Sequence, residues 1–417
     1  MIIKKTKLIT FLVYFFLIDL LVLPGVFSVL PMTPGYRLGQ LIVTFVSPVL
    51  CLFLISRIPK FVWVRFLYVA YVLVVLILRY SMGAVEEEYL LKALAMPYAY
   101  LRVGLYFIMG AYLSHSLDPL QSRSLNNKII STVFILGFVN IIIAILQAQN
   151  IFDINEIIQR LYSKGQLSED MYLFENRQPA FFDGKVNGFS QFLVFLFFLS
   201  VGVVYGYRYL IKIGYQILII LGLFLAQTRA MLAPFFLAFV SLIFVKRARI
   251  LVILAIALIS IYILNFEIPE NRFGRLIYLL KDWDIIGNIS KDTSFYIRLN
   301  YTWQTNIDMF EEHPLIGHGL TISGSDDQYL MTLARSGVIG LFIMILEQVY
   351  IIIYSLHCRI AHISPFKSFY KAILYSWFVF SVAGIFQPVF DGGRVMELIF
   401  FMFGFFHMSN IYADNKS

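Results

Sequence analysis

The chain has 417 residues, of which 60% are hydrophobic, 17% aromatic and only 14% charged, and its mean hydropathy is +0.79. A soluble domain of this length needs far more polar surface, so the solvent is largely lipid. The net charge of +8 does not imply a nucleic-acid partner, because the basic residues stand in short clusters between apolar runs, as orientation signals do. Cys51 falls in an apolar run and Cys358 in a predicted cytoplasmic loop, so no disulfide is expected.

The N-terminal stretch MIIKKTKLITFLVYFFLIDLLVLPGVF opens like a signal peptide but lacks a small-x-small cleavage site. It reads as a retained first membrane helix. A helix needs about 20 mostly apolar residues to cross the hydrocarbon core. Runs of that order cover 8–30, 39–56, 61–78, 94–114, 129–147, 188–206, 209–226, 230–245, 249–265, 338–356, 368–386 and 395–412. They predict an all-α polytopic membrane protein of about twelve transmembrane helices, a single integral membrane domain over 1–417.

Positive charge tests that count independently. Lys4, Lys5 and Lys7, Arg57 and Lys60, Arg123 and Lys128, Arg208 and Lys212, Lys246, Arg247 and Arg249, and Arg359 and Lys367 all fall in alternate connections. Between them lie the acidic SMGAVEEEYL and the short QTR and QPVFDGGR, each of the last two with one Arg. The alternation predicts a multi-pass protein of the inner (plasma) membrane with both termini cytoplasmic. Two outer, periplasmic loops are long: 148–187, between the fifth and sixth spans, and 266–337, between the ninth and tenth. Loops longer than connection requires are usually functional. The second holds RLIYLLKDW and YIRLNYTWQTNIDMF, apolar and amphipathic pieces that predict a partly helical loop folded over the membrane surface.

Three basic side chains stand out by position. Arg229 sits in an outer turn between two apolar runs, Arg298 in the large loop, and Arg177 ahead of the sixth span. Arginine's planar fork matches phosphate oxygens and keeps its charge when partly desolvated. An outward cavity lined by such groups suits an anionic headgroup, such as a diphosphate on a membrane-embedded carrier. Each arginine alone fits interfacial snorkelling as well.

RLNYTWQTNIDMFEEHPLIGHGL followed by SDDQYLMTLARSGVIG resembles the signature loop of the O-antigen polymerase/ligase superfamily. That pattern has an Arg, an aromatic residue, F-x-x-[NH]-P-[LI]-x-G-x-G, a polar triplet and Y-L-x-x-L-x-x-x-G-x-x-G. QTRAMLAPFFLAF is similar to the family's Ser-Arg helix start, and RQPAFFDGKVNGFSQFL is similar, more loosely, to its Arg-Gly-Asn stretch through Arg177, Gly184 and Asn187. The resemblance implies a membrane inverting glycosyltransferase whose donor is a glycan on undecaprenyl diphosphate, needing no cofactor and no metal. By this resemblance Arg229 and Arg298 hold the diphosphate as leaving group, and Arg177, Asn187, Tyr329, Arg335, Asp327 and His318 line the substrate site. Ligases carry a His three residues before the Tyr; here that position is Asp326, which favours the polymerase branch. Asp326 then takes the proton of the attacking sugar hydroxyl, or orients that hydroxyl. Asp326 and Asp327 fit equally well as caps on the following helix, and Asp327 also fits a pair with Arg335. Gly337 and Gly340 are read as bending the YLMTLARS helix into the tenth span.

The expected activity is polymerisation of lipid-linked repeats into O-antigen or capsule-type polysaccharide at the periplasmic face. The implied partners are donor and acceptor lipid-linked glycans, membrane lipid, a flippase and a chain-length regulator. Two rivals stand beside it: a ligase acting on lipid A core or protein, and a flippase of lipid-linked sugars, which predicts inverted repeats and broken midplane helices.

Other signals are discounted. The DWD at 282–284 imitates a metal-binding pair, and Glu86, Glu87 and Glu88 read as a solvated acidic loop. His313 and His318 flank PLIG with no Cys or further His nearby, too little for zinc, though His318 stays a candidate acid or base. GKVNGFS lacks the ending of a phosphate loop. Finally, Asp19, Arg102 and Glu347 lie inside predicted spans, where charge is costly unless paired. Arg102 is expected to pair with Asp19 or Glu347.

Overall fold

The structure, a computed structural model, describes residues 2–24, 37–83, 87–162, 180–182, 186–202, 209–226, 228–241, 297–319, 327–361, 366–390 and 393–414. Among these residues it is all-helical. In chain order come α1 (Ile2–Leu21), α2 (Leu38–Leu54), α3 (Lys60–Ser81), α4 (Glu87–His115), α5 (Pro119–Ala148), α6 (Ile154–Tyr162), α7 (Val186–Gly202), α8 (Tyr209–Ala226) and α9 (Arg229–Ser241). A π-helical turn, Arg298–Trp303, leads into α10 (Gln304–Glu312); α11 (Gln328–Ala361), α12 (Phe366–Ala383) and α13 (Arg394–Asp414) follow.

Helix starts follow local chemistry. Pro119 opens α5 from an extended Asp118, where its missing N–H costs nothing. At α2 the Gln40 side chain accepts the Arg37 N–H at 3.1 Å, one of the donors a helix start leaves unpaired. Among the described residues four segments are long and apolar enough to cross a membrane: Leu38–Arg57, Lys60–Ser81, Pro119–Ala148 and Gln328–Ile360. Shorter apolar helices cover Asn187–Gly202, Ile211–Ala226 and Ala230–Val240. Each interval expected from hydropathy overlaps a described helix, apart from 249–265; that interval and the ends 25–30, 203–206 and 242–245 lie outside the described residues. The first long loop carries α6, and the second carries the π-helical turn and α10; RLIYLLKDW and DWD lie outside the described residues.

The core is built on α7 and α13, whose residues are buried almost without interruption from Phe189 to Leu199 and from Val395 to Met408. α13 runs parallel to α4, with Phe107 against Phe403 and Ser114 bonded to Ser409. The two backbones touch: a Cβ on Gly110 would overlap the Phe401 carbonyl, and one on Gly404 the Phe107 carbonyl. Small residues permit such close approach where lipid supplies no hydrophobic drive between helices. Around this pair α3 packs on α4 and α11, α11 on α12, α12 on α7 and α9, α7 on α8, α8 on α5, and α5 on α1.

The expected pairing of Arg102 is corrected by this packing. Arg102 binds Glu397 of α13, which also binds Arg37; Asp19 faces Arg37 at 3.5 Å, and Glu347 binds Arg65 of α3 at 2.6 Å. The reason is that α1 already ends at Leu21, so Asp19 lies in its last turn beside the start of α2 rather than mid-span. Glu347 points to α3 instead, where the Arg65 guanidinium also lies 4.4 Å from the Phe400 ring centre and 5.1 Å from that of Tyr100.

Candidate functional site

α11 is broken in its first third. At Gly337 the backbone takes φ +62° and ψ −168°, separating a short segment from the long one that spans. Such a break leaves carbonyls unbonded before it and N–H groups after it. The loop after α10 meets these groups one by one. The N–H groups of His318 and Gly319 donate to the carbonyls of Ala334 and Arg335, both at 2.8 Å, and the Val338 N–H donates to the Pro314 carbonyl at 2.9 Å. Neither side tolerates a side chain here: a Cβ on Gly317 would overlap Arg335 and Ser336, and one on Gly337 would overlap Leu315. Gly317 and Gly319 also have positive φ, 71° and 79°, a conformation suited to glycine. The glycines of the two signature motifs therefore fit one another. Gly340 is an ordinary helical residue of the long segment, so the bend belongs to Gly337.

Arg79, in the last turn of α3, locks this junction. It is buried, and its Nε and Nη2 both donate to the Gly317 carbonyl, at 2.9 and 2.7 Å. The Tyr71 hydroxyl adds a bond to the Ser336 carbonyl at 3.0 Å. Sequence reading missed Arg79, since an Arg ending a membrane helix looks like a snorkelling side chain.

The short segment of α11 is anchored at its start. Asp327 is buried, and its Oδ1 accepts the N–H groups of Tyr329 and Leu330, both at 2.8 Å, which makes it the helix cap. Burial holds its carboxyl above the usual range, opposed by those two donors and by the positive charge of Arg298. Gln328 donates its N–H to the Gly384 carbonyl at 2.8 Å, and its Oε1 accepts the N–H groups of Val389 and Phe390. The Tyr329 hydroxyl donates to the Ser381 carbonyl at 2.7 Å. The ends of α3, α11 and α12 thus meet at the signature loop.

Arg298 opens the π-helical turn, half-buried, and its charge reaches Asp327. Single π-type turns recur at functional sites because they re-aim side chains. Trp303, closing the turn, stands 6.4 Å from the Phe386 ring beyond α12. Asp327 and Tyr329 are thus joined through the cap, and the charge of Arg298 acts on Asp327. Arg335 is buried; no ion pair joins it to Asp327 among the described residues, and its Nη2 has no hydrogen-bond partner. Asn187 occupies the first turn of α7, its carbonyl bonded to the Ser190 hydroxyl at 2.9 Å. Arg229 is the first residue of α9, as the helix-start reading requires. Asp326 and Arg177 lie outside the described residues.

His318 faces Glu312, with Nε2 2.8 Å from Oε2, and its ring stands edge-on to that of His313 with centres 4.6 Å apart. Burial, together with the charge of Arg79 and the neighbouring His318 ring, lowers the His313 pKa.

A comparison with curated proteins finds no match. Residues 215–345 match the family model described as O-antigen ligase, a stretch that runs from α8 through Arg229 and Arg298 to the break in α11 and beyond it. Over that stretch the chain is similar to the O-antigen ligase family, and its long apolar helices have the length and composition of membrane spans.

Proposed function

We propose that the protein polymerises undecaprenyl-diphosphate-linked oligosaccharide repeats into O-antigen or capsule-type polysaccharide at the periplasmic face of the inner membrane. The observation that carries this reading is the junction of Arg298 with the capped start of α11, held by the docked signature loop. The proposed topology has about twelve spans with both termini cytoplasmic, which turns this junction toward the periplasm.

In the reaction, the hydroxyl oxygen of the acceptor sugar attacks the anomeric carbon of the donor glycan. The bond from that carbon to the diphosphate oxygen breaks, with inversion. Arg298 and Arg229 take the charge that develops on the departing diphosphate; fixed cations of this kind lower a barrier by about 3–4 kcal/mol each. Asp326 accepts the hydroxyl proton. The scheme thus places its leaving-group charge on guanidiniums, and the supply of repeats and the control of chain length fall to a flippase and a regulator.

A ligase shares this donor site, and the description of the matching family model speaks for that alternative. Asp326 at the position where ligases carry His speaks for polymerisation. Purified protein given lipid-linked repeats alone should build a ladder of polymers, and Arg298→Ala or Arg229→Ala should abolish it while the protein stays in the membrane. Normal ladders from both variants would refute the diphosphate role. Product formed only when lipid A core or protein is added would assign ligation instead.

A further inference from the structure

We propose that Glu312, His313 and His318 form a binding site for a divalent transition-metal ion of the zinc class beside the signature loop. The three ligand atoms, one from each side chain, lie within 4.8 Å of one another. Zinc takes imidazole nitrogen and carboxylate oxygen at about 2.0–2.2 Å, so ligands around it stand near 3.3 Å apart. Closing onto an ion therefore needs the ligand atoms to draw together by about 1.5 Å at the widest pair.

Sequence spacing concealed this set, because it put two histidines next to each other with no third ligand of the usual kind. The fold supplies the third ligand. Glu312 ends α10, His313 leaves the helix, and the turn closed by the Gly317 N–H on the His313 carbonyl at 2.8 Å returns His318 to Glu312. The backbone carrying the ligands is fastened on both sides, at Pro314, His318 and Gly319 to α11 and at Gly317 to Arg79. Such a frame removes most of the ordering cost that a flexible loop meets on binding metal. All three side chains are at least partly exposed, His318 by 22% and Glu312 by 66%, leaving room for water to complete the coordination shell. Two imidazoles and one carboxylate favour zinc and its neighbours over magnesium or calcium, which prefer oxygen alone. The positive charge of Arg79 near His313 weakens the site relative to one without a neighbouring cation. A bound ion ties the end of α10 to the loop that leads into Asp326. This inference is independent of whether the enzyme polymerises or ligates.

The test uses full-length protein purified in detergent without a polyhistidine tag and stripped with EDTA. Titration with zinc chloride should give about one tightly held ion per chain, and cobalt(II) should give the visible absorption of a tetrahedral nitrogen–oxygen site. Magnesium chloride should give neither. His313→Ala and His318→Ala should each weaken zinc at least tenfold, while His357→Ala, an exposed histidine outside the site, should leave it unchanged. Should either variant at these histidines fail to fold, Glu312→Gln, at the most exposed of the three, carries the test with a loss of the cobalt spectrum. Zinc uptake equal in wild type and Glu312→Gln, or a cobalt spectrum of free hexaaqua ion in the wild type, overturns the proposal and leaves an ordinary His–Glu pair.

Discussion

Asp326 and Asp327 are neighbours to which we assign separate roles, the first as the proposed base. Asp327 accepts two backbone N–H groups at the start of α11 through Oδ1, so its side chain caps the helix. Replacing it by Ala should cost about 1 kcal/mol of stability, and replacing it by Asn only a few tenths, read as thermal unfolding in detergent. Asp326→Asn should leave stability unchanged and abolish polymer, because an amide accepts no proton at neutral pH. Equal loss of activity from both Asn variants, with stability intact, would assign the base to the pair rather than to Asp326. At the same scale, Arg79 shows how an arginine that ends a membrane helix serves a neighbouring loop: two of its donors are used on one carbonyl.

At the scale of elements, the junction between α11 and the loop after α10 explains why two glycine-bearing motifs far apart in function-free terms belong together. The break at Gly337 exposes backbone groups that would be costly to bury, and the HPLIGHG segment supplies partners for them. Gly337→Ala should therefore be destructive: it adds strain at positive φ and drives a methyl into the Leu315 carbonyl. A loss on the order of 3 kcal/mol is expected, seen as a lowered unfolding temperature and as protease cleavage near the loop. Gly340→Ala adds no strain at positive φ, and its Cβ meets chiefly the Ser336 side chain rather than backbone, so it should cost less. An equal cost for the two variants would contradict the docking account.

For the whole molecule, buried ion pairs link helices distant in sequence. Glu397 is shared by Arg37 of the α2 start and Arg102 of α4, and Asp19 of α1 closes the set from the other side. A second pair, Arg65 with Glu347, joins α3 to the long segment of α11. Breaking a buried pair by removing one partner typically costs about 3–5 kcal/mol, because an uncompensated charge is left behind. Glu397→Gln leaves two guanidiniums short of a counter-charge, so it should destabilise by that amount in detergent. Arg102→Met should cost less, since Glu397 keeps Arg37. The reverse order of unfolding temperatures would show that the shared carboxylate is not the hub.

The amino-acid sequence by itself determined the helical class, the places of the apolar helices among the described residues, and the two signature segments. These are legible because transfer of a segment into lipid sums residue by residue along the chain, and because motifs are local. By resemblance it also proposed Arg298 and Asp327 as site residues, and the structure sets the charge of Arg298 to act on Asp327. Only the tertiary structure decided which acid each buried arginine binds, that among the described residues no ion pair joins Arg335 to Asp327, that Arg79 clamps the loop, and that Glu312 joins His313 and His318. Those outcomes depend on where each helix ends and how it is rotated against its neighbours. A shift of one residue turns a helical side chain by about 100°, so a linear hydropathy pattern cannot fix the partner.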